Sequence, residues 1–446
     1  MIRRFHMALL AVSLLAAPSA FAADAPAETC TTNSTVFLQA MVHGSYAQAG
    51  KDFNSTVAAA LDADKLKQVW TRIQGQAGAF QKLGTPTQQI IAGHSVVVTR
   101  LTFANVPLNA LVACDADGRI NTFRLVPVPP DSAAISHAVR MDPNGVTSRS
   151  VQVQSPWGPL TGTLTLPRGN GPFAAVVLVG GSGPQDRDET IGPNKPFLDL
   201  AKGLAADGIA SLRYDKRTLV YGAQISSDTS FTVDQEVTDD GLAALKVLAH
   251  QPHIDGKQLF VIGHSLGAMM APRIGKQDPQ LAGLVLMAAP ARPLLDVLAE
   301  QERDQGRKRG ATAAQITASE NAIDAERKLL ARADPAHPPK GTFGPAPQSY
   351  WLSLHDYHPL EVAKGLSMPM LILQGGRDFQ VSPTLDFARW KQALNGQPNV
   401  TFLLYPKLSH LFMLAGSTGT VADYKTPGHV DQQVIHGIAG WIKQHS

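Results

Sequence analysis

Leu259-Phe260-Val261-Ile262-Gly263-His264-Ser265-Leu266-Gly267 is the stretch on which the reading of this chain turns. Four apolar residues in a row make a strand of the kind buried on both faces of a sheet. Gly-x-Ser-x-Gly then turns that strand sharply into a helix, with glycines on either side because a Cβ there would strike the neighbouring strand and helix. Such a turn holds the hydroxyl of Ser265 clear of the sheet, at the positive end of the helix.

A serine hydroxyl is a poor nucleophile at neutral pH, so it needs a base within reach and a third group to orient that base. In an open parallel sheet both come from loops at the C-terminal ends of later strands. Leu373-Gln374-Gly375-Gly376-Arg377-Asp378 is a strand ending in a Gly-rich turn that delivers Asp378. Leu404-Tyr405-Pro406-Lys407-Leu408-Ser409-His410 is another, and it delivers His410. His355, His358 and His429 compete for the role of base, but His410 alone closely follows the final core strand. His264, at the variable position of the pentapeptide, reads as a packing residue. Two backbone N–H donors are needed for the oxyanion. One is expected from Leu266, and the other from the turn Gly180-Gly181-Ser182-Gly183, at Ser182 or next at Gly181.

The surrounding texture is α/β from Arg149 onward. Val151-Gln152-Val153 and Gly162 to Leu166 look like a leading hairpin, and Ala174 to Val179, Ile209 to Arg213, Leu281 to Met287, Pro369 to Leu373 and Thr401 to Tyr405 are further strands. Helix-length stretches separate them, as in strand–helix–strand repeats. A charged insertion, about 291–366, interrupts this rhythm. Leu294, Leu295, Leu298, Leu329 and Leu330 give it one greasy side, so it reads as surface helices forming a lid. Arg213, Asp215, Lys216 and Arg217 either line the pocket mouth or brace neighbouring loops, and the same choice holds for Asp186, Arg187 and Asp188.

At 446 residues the chain exceeds what one core usually organises, so two domains are expected. Residues 30–130 form the smaller one: helical spacing from Val36 to Leu83, then strands with a period of two up to Leu125, make a small α+β unit. It is expected to bind substrate, to join two copies as a homodimer, or simply to stabilise. Residues 131–148, polar and proline-bearing, read as a linker to a catalytic domain at 149–446. Cys30 and Cys114, the only cysteines, both fall in the small domain and are candidates for a disulfide.

The N-terminus has the form of a signal peptide over 1–22: basic Arg3-Arg4, apolar Met7 to Ala17, and Ala20-Phe21-Ala22 for cleavage after Ala22. Export, to a bacterial periplasm or beyond, is therefore expected, without stable membrane insertion. The formal charge of +3 includes Arg3 and Arg4, which leaves +1 on the mature chain and no electrostatic case for nucleic acid. The glycine-rich turn lacks the lysine of a phosphate-binding loop and the spacing of a dinucleotide fingerprint, so no cofactor is expected, and no metal site is visible.

From about residue 150 onward the chain resembles secreted serine hydrolases of the α/β-hydrolase superfamily, in the branch that groups carboxylesterases with serine aminopeptidase-like proteins. The stretches that carry the likeness are Val179 to Asp188, Arg213-Tyr214-Asp215-Lys216-Arg217, Gly263 to Gly267 and Gln374 to Asp378. One departure is Gly180-Gly181 where His-Gly is usual, which removes a side chain but no backbone donor. The resemblance implies a mostly parallel sheet with a helical lid, the order Ser265, Asp378, His410, and a small-molecule ester or amide as substrate. Ester cleavage through an acyl-serine is the leading expectation, and an amidase, peptidase or acyltransferase with the same residues is the alternative.

Overall fold

The computed structural model describes residues 27–446 except 92–93, 105–106, 129–139, 143–144, 226–227, 309 and 335–336. The expected signal peptide lies outside the described residues. The chain divides into two compact units, 1–131 and 132–446.

In the first unit four helices precede a sheet: α1 (Ala27–Val42), α2 (Tyr46–Ala49), α3 (Ser55–Ala60) and α4 (Ala63–Ala77). Asn54 and Asp62 cap α3 and α4 through their side-chain oxygens, as short polar residues do at helix starts. The strands are β1 (Phe80–Leu83), β2 (Thr87–Ile91), β3 (His94–Phe103), β4 (Leu108–Cys114) and β5 (Ile120–Pro127), all antiparallel, in the order β1-β3-β4-β5 with β2 also on β3. Val97 and Leu101 on β3 and Ala110 and Val112 on β4 turn one face toward Phe37, Met41, Leu66 and Trp70. Cys30 in α1 and Cys114 at the end of β4 form a disulfide, with Cα atoms 5.7 Å apart. The helical spacing read as far as Leu83 breaks earlier. Gly78, at φ 88°, ends α4, and Phe80 joins the sheet with its ring against Trp70 and Phe103.

The second unit is built on nine strands: β6 (Arg140–Met141), β7 (Thr147–Ser155), β8 (Gly158–Leu166), β9 (Phe173–Val179), β10 (Ala210–Tyr214), β11 (Ile254–His264), β12 (Gly283–Met287), and, after the short pair β13 (Thr342–Phe343) and β14 (Ala346–Pro347), β15 (Met370–Gly375) and β16 (Val400–Tyr405). The order is β16-β15-β12-β11-β9-β10-β8-β7-β6, parallel from β16 to β10 and antiparallel beyond. The stretch read as a linker, 131–148, is not one throughout, because Arg140–Met141 pairs with Thr147–Ser148 at the sheet edge.

The continuous apolar runs explain the layering. Successive side chains of a strand point to opposite faces. Val177, Val179, Leu259, Val261, Leu284, Leu286 and Ile372 therefore join one core, while Val176, Leu178, Phe260, Ile262, Val285, Leu371 and Leu373 join another. The second face is covered by α5 (Pro196–Ala206), through Phe197, Leu200 and Leu204. Past β10, two single turns, α6 (Arg217–Val220) and α7 (Gly222–Ile225), and a π-helical turn (Asp234–Thr238) lead to α8 (Asp239–Ala249), which covers the first face with α9 (Leu266–Gln277).

Between β12 and β15 come α10 (Leu294–Lys308), α11 (Ala313–Leu330), the β13–β14 pair, α12 (Gln348–His355) and α13 (Pro359–Lys364). Leu295, Ile323, Leu330, Tyr350 and Trp351 of this insertion pack into the first core, whereas Leu329 stays exposed. Finally α14 (Ala388–Ala393) precedes β16, and α15 (Gln432–Gln444) lays Val434, Ile435, Ile438 and Ile442 on the second face beside α5.

Candidate active site

β9 runs on toward β10 on one side and is flanked by β11 on the other, so the sheet's order reverses beside it. A crevice at the carboxyl ends of the strands is the usual consequence of such a reversal. The chain puts Gly180-Gly181-Ser182-Gly183 at the end of β9 and Ser265 at the end of β11. Ser265 has φ 54° and ψ −117°, left-handed backbone that a non-glycine residue adopts at a cost of roughly 1–3 kcal/mol. Two hydrogen bonds hold it there: its N–H donates to the Met287 carbonyl and its carbonyl accepts from Met269 N–H, each at 2.9 Å. A Cβ at Gly267 would sit 2.1 Å from the Val179 oxygen, and one at Gly263 would sit 2.4 Å from the Gly267 oxygen. Only bare glycines let β9, β11 and α9 meet this closely. Ser265 is partly exposed, and its hydroxyl makes no hydrogen bond among the described residues.

Asp378 and His410 meet. His410 Nδ1 lies 2.8 Å from Asp378 Oδ2, and both side chains are buried. The carboxylate is fully engaged. Oδ2 also accepts from Gln374 Nε2 at 2.9 Å, while Oδ1 accepts from Gln380 N–H at 2.8 Å and Val381 N–H at 2.9 Å. The two loops can touch because Gly375 has no side chain, since a Cβ there would fall 2.3 Å from the Ser409 oxygen. Of the rival imidazoles, His429 is exposed and pairs instead with Asp199 of α5 at 3.0 Å. His355 closes α12, and His358 takes the N-cap position of α13 without a side-chain capping bond.

The turn after β9 is braced from three sides. Glu189 Oε1 accepts Gly181 N–H at 2.7 Å, Lys216 Nζ donates to the Gly181 carbonyl at 2.5 Å, and Glu236 Oε1 accepts Gly183 N–H at 3.0 Å. Lys216 and Glu236 are themselves a buried pair at 2.7 Å. Tyr350 of the insertion stands beside Glu236, and burial first, then that carboxylate, pushes its phenol well above the ordinary range, so it stays neutral. Gly181 is thereby removed from the candidate oxyanion donors, because its N–H already serves Glu189. Ser182 N–H and Leu266 N–H make no hydrogen bond among the described residues.

His264 is not the packing residue expected. Its Nδ1 lies 3.0 Å from Glu189 Oε1 and its Nε2 lies 2.9 Å from the His410 carbonyl oxygen. Glu189 belonged to an acidic run with no spacing relation to any base, so nothing local marked it. The other charges of these loops are engaged too: Arg187 pairs with Asp215 at 2.5 Å, Arg213 and Lys195 with Asp188 at 2.9 Å each, and Arg217 with Asp240 of α8 at 2.5 Å, while Asp186 accepts from the Thr190 N–H at 2.9 Å and hydroxyl at 2.7 Å. They brace loops, which decides the choice left open by the sequence.

Comparison with known proteins adds the chain's kinship. Residues 194–415 match the family described as serine aminopeptidase, S33. Esterase EstD of Thermotoga maritima is 34% identical over 407 residues, spanning 91% of this chain and 94% of that one. This chain belongs to the same family. It is an esterase-family serine hydrolase. Residues 34–123 match a second family, a protein of unknown function (DUF3887). Esterase FrsA of Klebsiella pneumoniae is 29% identical over 144 residues, 32% of this hydrolase and 31% of that protein. Among solved structures, Est1E from Butyrivibrio proteoclasticus aligns at 12% identity and a TM-score of 0.43, covering 66% of this chain and 98% of that one. The esterase domain of a Rhodothermus marinus protein aligns at 15% identity and 0.40, covering 67% and 98%.

Proposed function

We propose that the hydrolase cleaves carboxylic esters through an acyl-serine intermediate, with Ser265 as nucleophile, His410 as base and then acid, and Asp378 as the group that orients His410. The observation that carries this reading is the 2.8 Å contact between His410 Nδ1 and Asp378, on loops at the same sheet rim as the strained Ser265 turn. In the cycle, Ser265 attacks the carbonyl while His410 takes its proton and then hands it to the leaving alcohol. Asp378 keeps the Nδ1–H tautomer and stabilises the cation that forms. The N–H groups of Leu266 and Ser182 receive the negative oxygen, and water repeats the sequence to release the acid. A hydrogen bond between Ser265 and His410 is expected to close when substrate binds, as such contacts often do.

An ester is favoured over a peptide because Asp188, Asp215, Arg187 and Arg213 are already paired with one another's loops, and so are not offered to a peptide terminus. The name of the relative from Thermotoga maritima points the same way. The insertion between β12 and β15 is proposed as a cover over the pocket, and the N-terminal leader as an export signal. Ser265→Ala is expected to abolish p-nitrophenyl ester turnover and fluorophosphonate labelling without changing the melting temperature. Unchanged turnover would refute the assignment, and faster turnover of aminoacyl amides than of short acyl esters would move it to the peptidase reading.

A further inference from the structure

Glu189 and His264 are buried beside the Ser265 turn, yet the ester-cleaving cycle gives neither of them a part. One oxygen, Glu189 Oε1, accepts from Gly181 N–H at 2.7 Å and faces His264 Nδ1 at 3.0 Å. The other ring nitrogen, Nε2, faces the His410 carbonyl at 2.9 Å. With Glu189 held ionised, its carboxylate and the His410 carbonyl only accept, so both ring nitrogens donate and His264 is an imidazolium. The contacts run in one line from the turn after β9, through the residue before the nucleophile, to the loop after β16.

We propose that Glu189 and His264 are positioning residues that tie the oxyanion turn to the base-bearing loop, and that the tie is complete only while His264 is protonated. It rests on the reading of Ser265, His410 and Asp378 given above. The pair also has to be a pair. The rings of His264 and His410 are 4.6 Å apart, so an uncompensated cation at 264 would oppose the charge His410 acquires during the cycle. Glu189 cancels it. The titratable groups facing His264 are Glu189 from the turn segment, His410 from the loop after β16 and Asp378 from the loop after β15, while Lys216 holds the far side of Gly181.

The titration of the pair agrees with the geometry. Burial disfavours the His264 cation, but the Glu189 charge and hydrogen bond and the His410 carbonyl outweigh it and raise its pKa above the ordinary range. Burial likewise opposes the Glu189 carboxylate, but His264 and Gly181 N–H hold it below its ordinary range. A raised imidazole contributes fully below its unfolded value of 6.5 and is lost as pH climbs through the folded value. A lowered carboxylate contributes fully above 4.5 and is lost as pH falls through its folded value. The tie is therefore intact between those limits.

The test uses the full chain and compares pH profiles of kcat and kcat/KM for p-nitrophenyl acetate in wild type, Glu189→Gln, His264→Asn and the double variant. Glutamine keeps an oxygen for both donors, removes the charge and places its NH₂ where Oε2 is buried without a partner. It should move the alkaline limb toward lower pH and reduce kcat roughly 10- to 100-fold, less than the about 10²–10³ of deleting an oxyanion donor. KM should stay within about twofold, because the loss falls on the transition state. The double variant should lose no more than the worse single one. In ¹³C-histidine NMR of wild type, the imidazole that vanishes in His264→Asn should titrate above the ordinary histidine range. This readout needs only His264→Asn to fold, and stands even if Glu189→Gln or the double variant does not. Unchanged kcat and alkaline limb in both single variants, or an imidazole at 264 titrating at or below 6.5, would overturn the tie. Failure of Ser265 to take a fluorophosphonate in wild type would instead remove the reading beneath it, and the NMR titration would still decide the pair.

Discussion

Replacing Asp378 by asparagine changes one atom and should nearly silence the enzyme. Oδ1 accepts two backbone N–H groups, from Gln380 and Val381, and neither can turn away. The asparagine oxygen therefore stays there, and its NH₂ takes the place of Oδ2, facing Gln374 Nε2 and His410 Nδ1. Gln374 has little freedom to flip, because the same Nε2 donates to the Gly375 and Val381 carbonyls at 3.2 Å. His410 must yield instead. Its Nδ1 becomes the acceptor, the proton moves to Nε2, and no lone pair remains for Ser265. The wrong tautomer in such a triad lowers kcat by about 10⁴, equivalent to about 5 kcal/mol of barrier. The remaining donor–donor contact with Gln374 should cost about 1–3 kcal/mol of stability. Steady-state hydrolysis of p-nitrophenyl acetate and the rate of fluorophosphonate inactivation read the first effect, and a thermal melt reads the second. A kcat within tenfold of wild type, in a protein that melts normally, would show that Asp378 does not orient His410.

Three further outcomes follow from the packing. Gly267→Ala places a Cβ 2.1 Å from the Val179 oxygen and 2.7 Å from the Gly180 oxygen, and backbone on that side cannot give way. Destabilisation at or above the about 1–3 kcal/mol typical of overpacking is expected in urea titrations, with loss of ester turnover. Removing the Cys30–Cys114 bridge, which spans 84 positions, should destabilise the N-terminal unit by up to about 4–5 kcal/mol, seen as a melting transition that drops in dithiothreitol and in Cys30→Ser. Arg217→Met leaves Asp240 buried and unpaired and should cost about 3–5 kcal/mol, whereas Arg217→Met combined with Asp240→Leu should recover most of it in a double-mutant cycle.

What could be read from the chain alone was whatever depends on neighbours in sequence. The run Leu259 to Ile262 and the glycines around Ser265 are local, and so are the turns that bring Asp378 and His410 to strand ends. Contacts between distant loops had no such trace. Glu189 and His264 are 75 positions apart, and His264 and the carbonyl of His410 are 146 apart. Whether Gly181 N–H was free depended on where Glu189 lands after a left-handed step at φ 52°, which no periodicity records. Phe80 and Leu83 kept helical spacing although Gly78 had already ended the helix. Arg140–Met141 is too short a strand to show a period of two against proline-rich surroundings.

The division of β9, β11, β12 and β15 between two cores sets the kind of change this protein can accumulate. Deleting or inserting one residue within Leu259 to Ile262 would swap Leu259 and Val261 with Phe260 and Ile262, exposing each helical layer to side chains shaped for the other. Lineages of this hydrolase should therefore vary in length between strands, above all from 291 to 366, while the strands themselves drift only by exchange of one residue for another.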